Sequence, residues 1–132
     1  MEYEWLDNEK KKGDLFLLYQ SLGWQDFLQL NRYTLKKAMD NSWLVLYVYE
    51  KDRLIGTGRV ISDGVMNAYI CGIGVEVAFR NQGIGSAILN TLVEKCSAEK
   101  LHIQLFCEEH LKRYYENKGF QVFAVGMKKD AL

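Results

Sequence analysis

The 132-residue chain balances seventeen Lys and Arg against seventeen Asp and Glu, and 48% of its residues are hydrophobic. That length suits one domain, residues 1–132, able to bury roughly two thirds of its unfolded surface, and the neutral balance excludes a field that would attract nucleic acid or an anionic membrane. The first residues lack the apolar core of a signal peptide and the longest apolar run, WLVLYVY at 43–49, is too short to span a bilayer, so a cytoplasmic protein is expected.

Leu15, Leu18, Tyr19 and Leu22 stand at helical spacing and predict a first helix over 15–22, with Asp14 as its N-cap and Gly23 just past its end. A shorter helix is predicted over about 34–39, burying Leu35, Ala38 and Met39. Residues 43–49 are apolar throughout and predict a strand covered on both faces; the charged turn EKDR leads to a second strand over 54–61, ended by the turn SDG. A third strand is expected over 65–77, where Gly72 and Gly74 mark a bulge or a close backbone approach. Ile84, Ile88, Leu92 and Cys96 lie four apart, flanked by Leu89 and Val93, and give the next helix one broad apolar face. LHIQLFC at 101–107 alternates as a strand, EEHLKRYYENKGF is a last helix closed by Gly119, and FQVFAV at 120–125 is a final strand. The order predicts an α/β (α+β) fold, a mixed, mainly antiparallel central sheet with helices on both faces.

Cys71, Cys96 and Cys107 form no C-x-x-C and cannot all pair, which fits free buried thiols in a reducing compartment. Cys107 and His110 make a lone C-x-x-H, too few ligands for a metal site, so no metal is expected. Lys10, Lys11 and Lys12 are taken as a solvated patch.

Between the third strand and the long helix stands FRNQGIGSAIL at 79–89, an R-x-x-G-x-G frame. A helix's first turn leaves N–H groups unpaired at the positive end of its dipole, so phosphate is a natural partner there. Glycines let the ligand's oxygens reach those amides without meeting a Cβ. A dinucleotide fingerprint would need Gly or Ala at position 88, which is Ile88, and the alternative at Gly72 and Gly74 has Val77 in that place. No G-x-x-x-x-G-K-[ST] occurs. Taken alone, the spacing also fits a glycine-rich turn without a ligand.

VEVAFRNQGIGSAIL resembles the acetyl-CoA-binding segment of the GNAT superfamily of N-acetyltransferases, V-x-P-x-x-[QR]-x-x-G-x-[GA]. Val75, Arg80, Gly83 and Gly85 match it position for position, and RYYENKGF at 113–120 is similar to the family's second signature, F-Y-x-x-x-G-F. The resemblance runs from about residue 14 to 125, and LYQSLGW and GTGRVISDG are further similar to a small bacterial branch.

The resemblance implies a GNAT-like acyl-CoA N-acyltransferase fold, with acetyl-CoA as acyl donor, a primary amine as acceptor, direct attack in a ternary complex and no metal. It implies that the amides of Gln82, Gly83, Ile84, Gly85 and Ser86 hold the coenzyme's pyrophosphate while Arg80 and Asn81 shape the turn. The strand edge around Ile73 and Val75 would pair with the pantetheine arm, and an amide at or beside Val75 would polarise the thioester carbonyl. Tyr115 stands at the signature tyrosine that protonates the departing thiolate in many relatives; read without the motif, it joins Leu111 and Tyr114 in a helix-core stripe. A monomer or homodimer is expected.

This chain departs from the pattern at two places. Val77 replaces the usual proline, and Cys71 and Gly72 stand where many relatives carry a strand carboxylate. Glu76, Glu108, Glu109, His110 or a chain of waters is left to take the amine's proton. Arg59 and Asp63 either meet the acceptor or pair with each other, and Trp24, Phe27 and Tyr33 are expected along the acceptor wall. The reading from another class is a non-catalytic acyl-CoA-binding or regulatory module, and a third is an interaction domain.

Overall fold

The apolar run at 43–49 is covered on both faces because its alternate residues enter two different cores. In a computed structural model, which describes residues 2–131, this run is strand β2 (Leu44–Glu50). Leu46 and Val48 join Val60, Ile70, Ile88, Leu89 and Leu92 on one side, whereas Val45, Tyr47 and Tyr49 join Leu15, Leu18, Tyr19, Leu35 and Met39 on the other. One face therefore carries α1 (Asp14–Ser21) and α3 (Arg32–Asp40), and the opposite face carries α4 (Ile84–Ala98).

The sheet runs in the order β1-β2-β3-β4-β5, with β1 (Glu4–Leu6), β3 (Arg53–Ser62), β4 (Asn67–Val75) and β5 (His102–Gln104). Its first four strands are antiparallel neighbours, and β5 lies parallel to β4. A mixed, mainly antiparallel sheet with helices on both faces is what the element order predicts. No helix among the described residues is long and apolar enough to cross a membrane.

Local chemistry moves several boundaries. The first helix is capped by Gly13 in the left-handed region, φ 94°, and Asp14 is its first residue, where its Oδ2 accepts from the Tyr49 hydroxyl at 2.6 Å. α3 begins two residues ahead of the predicted start because Asn31 Oδ1 accepts from the Thr34 N–H at 2.8 Å. The three-residue β1 and the single turn α2 (Gln25–Leu28) carry no periodicity of their own; β1 exists because the edge of β2 pairs with it. The strand predicted over 101–107 shrinks to β5, and the last helix is the short α5 (Lys112–Glu116), entered by a 3-10 turn at Glu109–Leu111.

The final strand predicted over 120–125 does not form: residues 120–131 hold no regular structure, and Val122, Phe123 and Val125 are exposed. Alternating apolar residues become a strand when a neighbouring edge supplies hydrogen bonds. Here β5 ends at Gln104, leaving no ladder for that segment to extend.

The α4 face rests on bare backbone. A Cβ on Gly58 would lie 2.7 Å from Ile88 Cγ2 and 3.2 Å from Leu92 Cδ1, and one on Gly56 would lie 3.2 Å from Ile88 Cδ1. Ile88 and Leu92 are both fully buried, at 0% exposure, so neither has room to retreat. Gly58→Ala is expected to lower unfolding stability by about 1–3 kcal/mol through overpacking; an unchanged urea midpoint would show that α4 does not press on this strand.

Candidate active site

Two irregularities in β4 open a cleft beside the long helix. The first is the parting of β4 from β5, which pair solely through Asn67 with His102, Ala68 with Ile103 and Tyr69 with Gln104. Beyond Tyr69, β4 continues to Val75 with no strand paired on that side among the described residues. The second is a bulge: Thr57 pairs with Gly74 and Arg59 with Cys71, so two steps on β3 face three on β4. Gly72 absorbs the extra residue at φ 64°, a left-handed conformation that glycine adopts without a Cβ penalty.

These irregularities fix where the backbone of β4 points. The Glu76 N–H donates to the Ile55 carbonyl of β3 at 2.8 Å. Because successive N–H groups of a strand face opposite edges, the Val75 N–H is turned toward the side β5 has left. Ile73 and Val75 turn their side chains to the α4 core.

The chain then passes a 3-10 turn at Val77–Phe79 and reaches α4 through Asn81, at φ 63°, and Gly83, at φ 82°. Gly83 caps α4 with no side-chain hydrogen bond, so among the described residues no capping side chain takes up the amides of the first turn. The space before them is open. A Cβ on Gly83 would meet nothing within 4 Å, and one on Gly85 would meet just Val75 Cγ2 at 3.8 Å.

Several side chains anchor this loop. Arg80 Nε donates to the Val75 carbonyl at 2.8 Å, tying the loop to the end of β4. The Tyr3 hydroxyl donates to Gln82 Oε1 at 2.7 Å, and Ser86 Oγ lies 2.6 Å from the Tyr114 hydroxyl. Neither contact is announced by the sequence, since each joins residues far apart in the chain without a shared motif. Tyr114 thereby joins α5 to the first turn of α4, with Tyr115 as the next residue.

Tyr115 is half-buried and packs against the α4-side core, edge-on to Tyr114 at 5.1 Å between centroids and to Phe120 at 5.9 Å. Burial, followed by the neighbouring Tyr114 and Cys107, pushes its phenol pKa above the usual tyrosine value. Of the helix-core stripe expected with it, Leu111 and Tyr114 are exposed and Leu111 lies before α5, so only the Tyr115 ring packs inward, and its hydroxyl makes no hydrogen bond among the described residues.

On the opposite face of the sheet, Gly74 is covered by Leu22 and Trp24: a Cβ there would lie 2.6 Å from Leu22 Cδ1 and 2.7 Å from Trp24 Cη2. Trp24 meets Tyr19 edge-on at 4.8 Å. Of the three aromatics Trp24, Phe27 and Tyr33, Trp24 covers Gly74, whereas Phe27 and Tyr33 are exposed, at 74% and 88%. The candidate bases are paired or exposed. Glu76 is ion-paired with Arg53, and Glu108, Glu109 and His110 are exposed, with His110 Nδ1 3.5 Å from Glu108 Oε2.

Residues 3–120 match the sequence model of the Acetyltransferase (GNAT) family. The chain belongs to the GNAT family of acetyltransferases. This GNAT chain superposes on the Staphylococcus aureus protein SA2161, a probable acetyltransferase, with a TM-score of 0.80 at 24% identity, covering 98% of this chain and 100% of that one. It superposes on a GNAT-family acetyltransferase from Streptococcus pneumoniae with a TM-score of 0.76 at 21% identity, covering 98% and 97%. In sequence it is 29% identical to the histone acetyltransferase TAP1 of Glycine max over 130 residues, covering 87% of this chain and 54% of that protein. It is 31% identical over 123 residues to an uncharacterised N-acetyltransferase, ycf52, of Gracilaria tenuistipitata, covering 87% and 64%. The chain thus spans between about half and two thirds of the length of these curated relatives.

All three cysteines are free, but they are not all buried: Cys96 is buried, Cys71 half-buried and Cys107 exposed. Cys107 lies past the end of β5, where the predicted strand would have turned it inward. No group of three or more His, Cys, Asp or Glu that could hold a metal ion occurs among the described residues. Burial pushes the thiols of Cys71 and Cys96 above their usual pKa, with Arg59 opposing the rise at Cys71. A thiol-reactive reagent at neutral pH is therefore expected to modify Cys107 first, Cys71 slowly and Cys96 on unfolding, as mapped by mass spectrometry. Rapid modification of Cys96 in the folded protein would contradict the packing of α4.

Proposed function

We propose that this GNAT chain transfers the acetyl group of acetyl-CoA to a primary amine by direct attack in a ternary complex. The observation that carries the reading is the uncapped first turn of α4, open in front of Gly83 and Gly85, adjoining the unpaired edge of β4 at Ile73 and Val75. An anion-binding amide cluster beside a free strand edge suits a ligand that carries both a pyrophosphate and an amide-bearing arm.

In this reading the amides of Gln82, Gly83, Ile84, Gly85 and Ser86 receive the pyrophosphate. Arg80 and Asn81 hold the turn, supported by the Arg80 bond to Val75 and the left-handed conformation of Asn81. Ile73 and Val75 offer backbone groups to the pantetheine arm, and the outward Val75 N–H polarises the thioester carbonyl as negative charge builds on its oxygen. Tyr115 gives its proton to the departing thiolate. Its raised pKa supports that role, because the phenol keeps its proton at the alkaline pH where an amine becomes neutral.

The amine is the harder problem. With a lysine-like pKa of about 10.4, the neutral form at pH 7 costs about 4.6 kcal/mol to populate. At the bulge, Cys71 and Gly72 supply no carboxylate, and Glu76 is held by Arg53. Proton loss to solvent before attack is the reading these residues support. That same lack is the one observation favouring a non-catalytic acyl-CoA-binding module. A panel of primary amines with acetyl-CoA, followed by thiol release, separates the two. A cytoplasmic setting belongs to this proposal, supported by the three free thiols.

Saturating acetyl-CoA, at about a hundred times its dissociation constant, is expected to stabilise the protein by about 2.7 kcal/mol. Gly85→Val should remove that gain while circular dichroism shows an unchanged fold, since the added methyls enter the open cradle. A thermal midpoint that acetyl-CoA leaves in place would refute binding at this turn. Tyr115→Phe should keep coenzyme affinity within a few-fold and lower turnover by about 10²- to 10⁴-fold. In the parent, the rate at saturating acetyl-CoA should climb about tenfold per pH unit toward the acceptor's own pKa, with no plateau near neutrality. A plateau beginning near pH 7 would reveal a base within the protein.

A further inference from the structure

Arg59 is a half-buried cation on the α1 face of the sheet, with no acidic partner among the described residues. It stands in β3 opposite Cys71, half-buried, on the face that carries Tyr19 and Trp24. Its Nη1 donates to Ser42 Oγ at 3.1 Å, and among the described residues no Asp or Glu forms an ion pair with it. Asp63, the acid that the sequence offers as a partner, is occupied elsewhere. Its Oδ1 accepts from the N–H groups of Val65 at 2.9 Å and Met66 at 2.8 Å, and these bonds, with Met66 foremost, hold its carboxyl below the usual range.

The surroundings of Arg59 are uncharged acceptors and rings. A Cβ on Gly72 would lie 3.4 Å from the Tyr19 hydroxyl and 3.6 Å from Arg59 Nε, so both polar groups converge on the bare backbone of the bulge. The guanidinium carries five donors in a planar fork; Ser42 takes one of them and the Tyr19 hydroxyl faces another. Withdrawing such a group partly from water without a counter-charge is unfavourable, unless a ligand supplies the charge. Val75 pairs with Gly56, three steps along β3 from Arg59, which puts Arg59 roughly 10 Å along the strand from the Val75 amide at about 3.3 Å per residue.

We propose that Arg59 receives an anionic group of the acceptor, a carboxylate or a phosphate, so that the acceptor class is a primary amine bearing such a group on a short chain. The Tyr19 hydroxyl is placed to donate to the same anion. The inference rests on the acetyl-transfer reading for what happens to the amine, but the anion contact is measurable without turnover.

The test uses matched acceptors: 6-aminohexanoate, 5-aminopentyl phosphate and the uncharged 6-aminohexanamide. At least one anionic acceptor should exceed the amide in kcat/KM by about tenfold or more, chiefly through KM, as a charge-assisted bidentate contact supplies. Which of the two does so tells carboxylate from phosphate. Arg59→Gln should bring that ratio to about one, and Arg59→Lys, which keeps the charge but loses the fork, should retain part of it; circular dichroism checks folding, and the Lys variant carries the comparison if the Gln variant does not fold. Equal kcat/KM for the three acceptors in the parent, or a preference that survives both substitutions, overturns the proposal. If no amine is acetylated, the transfer reading fails by itself. Calorimetric titration of 6-aminohexanoate and 5-aminopentyl phosphate onto the protein, with and without coenzyme A, then decides the anion site: binding lost in the variants upholds it, and no binding to the parent overturns it.

Discussion

Everything at the cleft depends on how closely α4 lies on the sheet. The ridge Ile84, Ile88 and Leu92 settles onto Gly56 and Gly58 of β3, where a Cβ on Gly58 would collide with it and one on Gly56 would crowd it. Two bare positions in a central strand ordinarily weaken a sheet. Here they let the helix approach until Ile88 and Leu92 are sealed from water, so the lost strand propensity is offset by buried apolar area. That seating also sets the position of the helix's N-terminus. Its uncapped turn arrives beside the end of β4 because the helix axis is pressed against β3 and tied back by Arg80 to Val75.

The cleft itself comes from incomplete pairing. A parallel strand that followed β4 to its end would consume the N–H and C=O groups of Ile73 and Val75. Instead β5 stops after three residues, and the bulge at Gly72 turns the last part of β4 relative to β3. Beyond Tyr69 that edge has no strand partner among the described residues, although Arg80 Nε donates to the Val75 carbonyl, and it lies next to a helix turn with no side-chain cap. Backbone groups left to water at two adjoining places are open to exchange that water for a ligand's donors and acceptors.

The two faces of the sheet divide the work. Ile73 and Val75 turn toward α4, whereas Tyr19, Trp24, Arg59 and Gly72 belong to the face carrying α1. The open edge of β4 is the place where both sides are within reach. Tyr3 on Gln82 and Tyr114 on Ser86 brace the loop from the N-terminal strand and from α5, so distant parts of the chain stabilise one turn.

The long helix, the three central strands and the glycine frame were legible from the amino-acid pattern because each is governed by neighbours in sequence. Ile84, Ile88, Leu92 and Cys96 bury one helical face whatever covers it, and Gly83 takes a left-handed conformation that few other residues tolerate. The family signatures at 75–85 and 113–120 carried the likeness to GNAT acetyltransferases by the same local logic. What failed was what required a partner. FQVFAV alternates like a strand yet has no edge to join, and Cys107 falls outside the shortened β5. The tertiary structure alone decided that Asp63 turns to the backbone of Val65 and Met66, that Arg59 has no acidic partner among the described residues, and that Gly56 and Gly58 form the seat of α4. Periodicity and turn chemistry act over a few residues, so sequence determines them directly; ion pairs, edges and close approaches join residues tens of positions apart, and packing settles which of the possible partners meet.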